Sequence, residues 1–292
     1  MNDNHVQKTI VITGGTGGIG RYSAIGLAKT GARVVVTGRN QERGEASVQE
    51  IKSASGNDDV HLAIGDVAIQ ESIHSLADDL IKRFDKIDVL VNNAGMFATE
   101  LAHTNDGFEL NFAINVAAPY TLTRLLAPAL EAAKPARVLN VTGGMPSGKV
   151  DITNLQAEKS FRGMSSYSHS KRIMDTMSLA LAREMEPRGI YVNVIYPGAA
   201  STSMTQGVKP SNLPWFARPL FPLFQYMTRD DGGKGAQKAA RSTIWGANAP
   251  ETEGKSGQYF DTNCKPAKFH ASIQDSKNQE AVISVITKTL DA

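Results

Sequence analysis

The chain has 292 residues, a formal net charge of +2 and one cysteine, Cys264. That length accommodates one large α/β domain with a substantial buried core, and 41% hydrophobic with 21% charged residues is the balance of a globular protein. A charge this small, with no block of Lys or Arg, gives no support to a nucleic-acid or anionic-membrane partner, and a single thiol excludes an intrachain disulfide framework or a multi-cysteine metal site.

In chain order, "MNDNHVQKTIVIT" lacks the basic flank and long apolar region of a signal peptide. No later apolar run approaches the roughly 18–20 residues needed to cross a bilayer. The expectation is a soluble, cytoplasmic protein without a membrane span. "TIVIT" (9–13) reads as a strand and is followed by a helix to about Thr30. "RVVVTG" (33–38) precedes a charged helix, and "VHLAIGD" (60–66) precedes "ESIHSLADDLIKRF". "IDVLVNNAG" (87–95) leads into a long helix through "LLAPALEAA". "ARVLNVTGG" (136–144) is followed by a loop and then a helix carrying "YSHSK"; "IYVNVIYPG" (190–198) and "GQYFD" (257–261) are the last strands. Near-continuously apolar strands alternating with helices predict a parallel sheet covered on both faces. The fold class is therefore α/β, a single doubly wound Rossmann domain of about seven strands. Residues 199–230 break the pattern, and the tail over 265–292 reads as polar and loosely packed.

"TGGTGGIG" sits directly after the first strand and opens a helix. Gly14, Gly18 and Gly20 allow a tight turn and close approach of the backbone to a pyrophosphate, and Thr16, Gly17 and Ile19 complete the cradle. The helix N-terminus adds free N–H groups and a positive dipole end. The second strand ends in "TGRN", with Gly38 and Arg39 where an NAD site usually carries an acid. With no carboxylate to repel a 2′-phosphate and a guanidinium to bind it, the expected cofactor is NADP(H). The alternative is that Arg39 is a solvated loop residue.

"YSHSK" places Tyr167 four residues before Lys171 on one helical face. A nearby cation favours the phenolate, so such a tyrosine could exchange a proton with a carbonyl or an alcohol. The spacing alone equally fits two surface side chains.

With the glycine turn, "NNAG" and "YSHSK" in this order, the chain resembles the short-chain dehydrogenase/reductase family from Thr9 to about Phe260. Within it the chain looks most like the retinol dehydrogenase and protochlorophyllide reductase branch. "DITNLQAEKSFRGMSSYSHSK" is similar to that branch's insert, and "PLFPLFQYMT" and "SGQYFD" to its C-terminal segments. The resemblance implies cofactor contacts from Asp66 and Val67 in "GDV" and from Asn93, Ala94 and Gly95 in "NNAG". It implies further contacts from Pro197, Gly198 and Thr202 in "YPGAAST". "FAINVAAPYTLT" carries the position of the family's active-site asparagine, Asn115. By resemblance Tyr167 is the general acid/base, Lys171 lowers its pKa and binds the ribose, and Asn115 holds a water linked to Lys171.

One departure stands out. The family's active-site serine follows the fifth strand, where this chain reads "NVTGG" and puts Gly143 at the serine position. Losing one such donor commonly costs ~10²–10³ in rate. Thr142, its neighbour on a strand, is expected to point to the opposite face. Ser147 in the following loop, a substrate hydroxyl, a water or the Gly144 N–H could fill the gap.

"NLPWFARPLFPLFQYM" concentrates Trp215, Phe216, Phe221, Phe224 and Tyr226. It suits a lid over a bulky, apolar substrate, or a segment that packs its own aromatics or docks on a partner chain. The expected activity is ketone or aldehyde reduction, or alcohol oxidation, on a hydrophobic molecule such as a polyketide, terpenoid or other secondary metabolite. With the serine position changed, a non-redox cyclisation or elimination is a rival reading, and a nucleotide-sensing protein is another. No metal site is expected among the six histidines, and a homodimer is plausible by resemblance.

Overall fold

The computed structural model describes residues 7–143, 148–198, 209–212, 218–219, 221–222, 225 and 231–291. Among them the strands are β1 (Thr9–Ile12), β2 (Arg33–Gly38), β3 (Val60–Ile64), β4 (Val89–Asn92), β5 (Ala136–Val141), β6 (Ile190–Ile195), β7 (Tyr259–Phe260) and β8 (Pro266–Ala267). They form one sheet in the order β3-β2-β1-β4-β5-β6-β7-β8. The first seven are parallel and β8 pairs antiparallel with β7, one strand more than the sequence pattern predicts. The order reverses between β1 and β4, which opens a crevice at their carboxyl ends.

Every residue of β1, β4 and β5 is buried because helices cover both faces. On one face α1 (Gly18–Ala28), α2 (Gln41–Ser55) and α8 (Lys234–Asn248) close over Ile10, Ile12, Val34, Val36, Leu139 and Ile195. A Cβ on Gly26 would lie 2.2 Å from Ile244, so glycine is what lets α1 approach α8 so closely. On the other face α3 (Gln70–Arg83), a broken helix over 110–131 and α7 (Gly163–Met185) cover Val11, Val35, Leu90, Val138 and Val192.

The long helix expected through "LLAPALEAA" is broken. It runs as α4 (Leu110–Phe112), a π-helical turn (Ala113–Ala117), α5 (Ala118–Leu125) and α6 (Ala127–Glu131). Two prolines explain this. Pro119 and Pro128 lack the N–H that would bond the carbonyls of Asn115 and Arg124 in a continuous α-helix. The C-terminal segment also departs from expectation. Instead of a loose tail it forms α9 (Ala271–Gln274) and α10 (Ser276–Leu290), which pack on α7 and bury Ile273, Val282 and Ile286. Among the described residues no helix is long and apolar enough to cross a membrane, and no cluster of His, Cys, Asp and Glu could hold a metal.

Candidate active site

The glycine turn between β1 and α1 is built for close approach. Gly14 has φ +62°, a region that L side chains rarely adopt, and a Cβ there would lie 3.0 Å from Ala94. A Cβ on Gly20 would meet the Gly14 carbonyl at 2.4 Å and the Asn93 amide at 2.5 Å. The Cβ direction of Gly17, the residue before α1, opens onto free space. Thr16 and Ile19 complete the turn, and the Thr16 carbonyl accepts the Ser47 hydroxyl at 2.6 Å. No acid lies in the first turn of α1. A bare helix N-terminus with open space before it fits a pyrophosphate.

The end of β2 borders this cradle, since a Cβ on Gly38 would touch Thr16 at 2.9 Å. Arg39 follows it and is exposed. Asp66, after β3, caps its own turn by accepting the Ala68 N–H at 2.9 Å, and Val67 packs on the core. Asn93, Ala94 and Gly95 follow β4. Asn93 donates to the Thr13 carbonyl at 2.9 Å, and the Thr13 hydroxyl accepts the N–H groups of Asn93 and Ala94 at 3.0 Å each. Thr13 thus ties the two strand ends that frame the crevice, a role invisible in the sequence pattern. Also unread in the sequence is a buried ladder in which Asn92 donates to Asn140 at 2.8 Å and Asn140 to Ser178 at 2.7 Å.

Asn115 lies in the π-helical turn and is fully buried. Its side chain accepts the Met96 N–H and donates to the Met96 carbonyl, both at 3.0 Å, and to the Ser170 hydroxyl at 2.9 Å. Both amide N–H groups are thereby used, and the side chain clamps the loop after β4 to α7. Its main-chain carbonyl faces Pro119 in the helical ladder and gains no N–H there.

Tyr167 and Lys171 converge on Gly143. A Cβ on Gly143 would lie 2.8 Å from the Tyr167 hydroxyl and 3.9 Å from Lys171 Cε. Phe97 meets the Tyr167 ring edge-on, with centroids 5.6 Å apart, and so fixes its tilt. Lys171 is 3% exposed and donates to the Val141 carbonyl at 3.1 Å. The expected lowering of the tyrosine by the lysine is not what the structure gives. The ring as a whole is half-buried, yet its hydroxyl end is desolvated against Gly143, which together with nearby Tyr196 pushes the phenol up to about 12. Burial pulls Lys171 down to about 8, against the opposing effect of Asp175.

Thr142 also departs from expectation. It keeps the alternation of β5, and Gly143, two residues past the strand's end at Val141, is the residue that breaks it. Thr142 shares the α7 side with the bare Cα of Gly143 and faces Asp175. At the neighbouring strand end Tyr196 stacks on Tyr259 with centroids 6.4 Å apart, followed by Pro197 and by Gly198 with φ +83°. Thr202, Ser147, Gly144, Trp215, Phe216, Phe224 and Tyr226 lie outside the described residues, as does most of the 199–230 segment.

A short chain dehydrogenase family profile matches residues 8–212. Retinol dehydrogenase 14 of Mus musculus is 33% identical over 279 residues, covering 92% of this chain and 81% of that protein. Retinol dehydrogenase 12 of Mus musculus is 30% identical and covers 97% of this chain and 86% of its own. Among solved structures, an RhlG/NADP active-site complex of Pseudomonas aeruginosa has TM-score 0.64 at 25% identity, covering 87% of this chain and 94% of that one. A protein from Mycobacterium Paratuberculosis shares the fold at TM-score 0.74 and 23% identity, over 98% of this chain and 94% of that one. The chain belongs to the short-chain dehydrogenase family and matches its retinol dehydrogenase-like branch.

Proposed function

We propose that the chain is an NADP(H)-dependent oxidoreductase that interconverts a bulky, largely apolar carbonyl compound and its alcohol. One observation carries the reading: the Tyr167 hydroxyl and Lys171 meet at Gly143, on the carboxyl edge of the sheet that also bears the glycine cradle. The cofactor, when bound, supplies or accepts the hydride. Gly14, Gly17, Gly18 and Gly20 would admit its pyrophosphate, Asp66, Val67, Asn93, Ala94 and Gly95 would line its adenosine side, and Pro197 and Gly198 would border its other end. Arg39, with no acid at position 38, favours a 2′-phosphate. The RhlG complex with NADP supports the same choice.

Tyr167 gives its proton to the substrate oxygen in reduction. Burial pushes the phenol up to about 12, so it stands protonated at neutral pH, the form a proton donor needs. Lys171 places its charge where the phenolate forms. The Asn115 clamp fixes α7 against the loop after β4 and so sets the height of both side chains. The relatives' name points to an alcohol of the retinol class, so retinal is the first aldehyde to test.

The test follows reduced-nicotinamide absorbance with retinal and either NADPH or NADH. NADPH is expected to be consumed faster, and Arg39→Glu is expected to reverse that preference. Tyr167→Phe should bind NADPH as wild type does and lose at least ~10²-fold in turnover. Full turnover by that variant removes Tyr167 as the acid, and conversion of substrate without absorbance change would favour a non-redox reaction.

A further inference from the structure

The helix that carries Tyr167 and Lys171 is buried to an unusual degree on its polar side. Ser168, Ser170, Lys171, Asp175, Thr176 and Ser178 of α7 are each at most 6% exposed. Ser170, Thr176 and Ser178 are satisfied by hydroxyl bonds back to the helix, such as Ser178 to the Met174 carbonyl at 2.7 Å. Asp175 is different. It is a carboxyl one helical turn beyond Lys171, and its Oδ1 is buried with no hydrogen-bond partner among the described residues.

Its position follows from the sheet. Val138, Val192 and Ile190 belong to the core under α7, whereas Leu139, Ile195 and Phe260 belong to the opposite face. By alternation along β5, β6 and β7, Thr142, Tyr196 and Tyr259 face α7. The groups that face Asp175 are therefore Lys171 and Arg172 from its own helix, the Thr142 hydroxyl from the end of β5, and the Tyr259 phenol from β7, on which Tyr196 stacks. Two of these are cations, and Lys171 is the one at the reaction site.

We propose that Asp175 is the positioning residue of Lys171: a buried carboxylate behind the ammonium that keeps it charged and aimed at the Val141 carbonyl, beside the Tyr167 hydroxyl. The proposal rests on the reading of Tyr167 and Lys171 as the proton-exchanging pair. The physical need is plain. An ammonium that is almost wholly buried, with one carbonyl acceptor among the described residues, loses its proton readily, because desolvation disfavours the charged form. An opposite charge one turn away restores it. The same burial pushes the carboxyl up, and Thr142, Lys171 and Arg172 act against that rise. Acid and base thus titrate as one unit. Asp175 touches neither the cradle nor Gly143 among the described residues, so it acts through Lys171.

The decisive measurement is the titration of the Lys171 ammonium by ¹⁵N NMR, with its signal identified by loss in Lys171→Arg. In Asp175→Asn the midpoint is expected to fall by at least about one pH unit, a tenfold shift of the protonation equilibrium. Asp175→Glu should bring it back. In the reduction of retinal by NADPH, the alkaline limb of the kcat profile should move acidward by the same amount, with KM little changed. Folded Asp175→Asn with both the midpoint and the limb unmoved overturns the proposal. If Asp175→Asn does not fold, the wild-type protein still decides: ionisation of Asp175, followed by ¹³C NMR of its carboxyl, must perturb the Lys171 signal, and independent titrations sink the idea. If wild type reduces no retinal, the functional reading is in question, while the NMR titration continues to judge Asp175 on its own.

Discussion

At the scale of the residue, the position that the family pattern marks as deficient turns out to be occupied. The sequence shows a serine missing at 143 and leaves its replacement open. The structure puts the Tyr167 hydroxyl within 2.8 Å of where any side chain at 143 would begin. Glycine is thus the residue that lets the phenol reach this depth. The tip of a tyrosine can swing aside, but Phe97 meets this ring edge-on and opposes the movement. A serine placed here gains a hydroxyl and displaces the acid. Gly143→Ala and Gly143→Ser are both expected to lower turnover of a verified substrate, by tenfold or more, while NADPH affinity stays near wild type. A rise in kcat with Gly143→Ser would show instead that the lost hydroxyl limited the reaction.

At the scale of the element, the sequence located the chemistry better than it described the supports. The glycine turn, "NNAG" and "YSHSK" could be placed because each sits where strand period gives way to turn or helix. Thr13, Asn92, Asn140 and Ser178 could not, because their bonds join residues between 38 and 81 positions apart. The break at Pro119 was legible in principle: one missing N–H is enough to interrupt the ladder opposite Asn115.

His169 is another such support. Its Nε2 accepts the Asp151 N–H at 2.9 Å and so pins the segment before α7 to that helix. Burial and Arg172 hold the imidazole down at about 4. A histidine depressed in the folded state contributes stability that is present above its unfolded value near 6.5 and is lost as pH falls through 4. The loss amounts to roughly 3 kcal/mol at the acid end. His169→Gln retains an acceptor without titrating. Thermal midpoints between pH 7.5 and 4.5 should therefore fall more steeply for wild type than for the variant, and parallel curves would exclude His169 as the acid-sensitive pin.

At the scale of the whole molecule, the doubly wound sheet is the level at which the sequence spoke most clearly, since alternating apolar strands and helices leave few other arrangements. It spoke least clearly about the C-terminus. A polar composition there reads as a loose tail, yet α9 and α10 need only a narrow apolar stripe to dock, and Ile273, Val282 and Ile286 provide it. They join a core that includes Ile173, Met177 and Leu181 of α7, so the last helix braces the helix that carries Tyr167, Lys171 and Asp175. Asp275 caps α10 by accepting the Lys277 N–H at 2.9 Å, and Ser272 ties α9 to Val150 at 3.0 Å. Burial of three such side chains is worth up to about 5–9 kcal/mol. That is comparable with the roughly 5–15 kcal/mol that holds an ordinary domain folded. Truncation after residue 270 is therefore expected to leave a protein that aggregates or melts at least about 10 °C below wild type. Val282→Ala, a milder lesion at the same contact, should lower the midpoint by a few degrees and leave the pH profile of turnover in place. A truncated chain that melts with wild type would mean that α7 stands without its brace, and that the geometry of the proton-exchanging pair is set by the sheet and the Asn115 clamp alone.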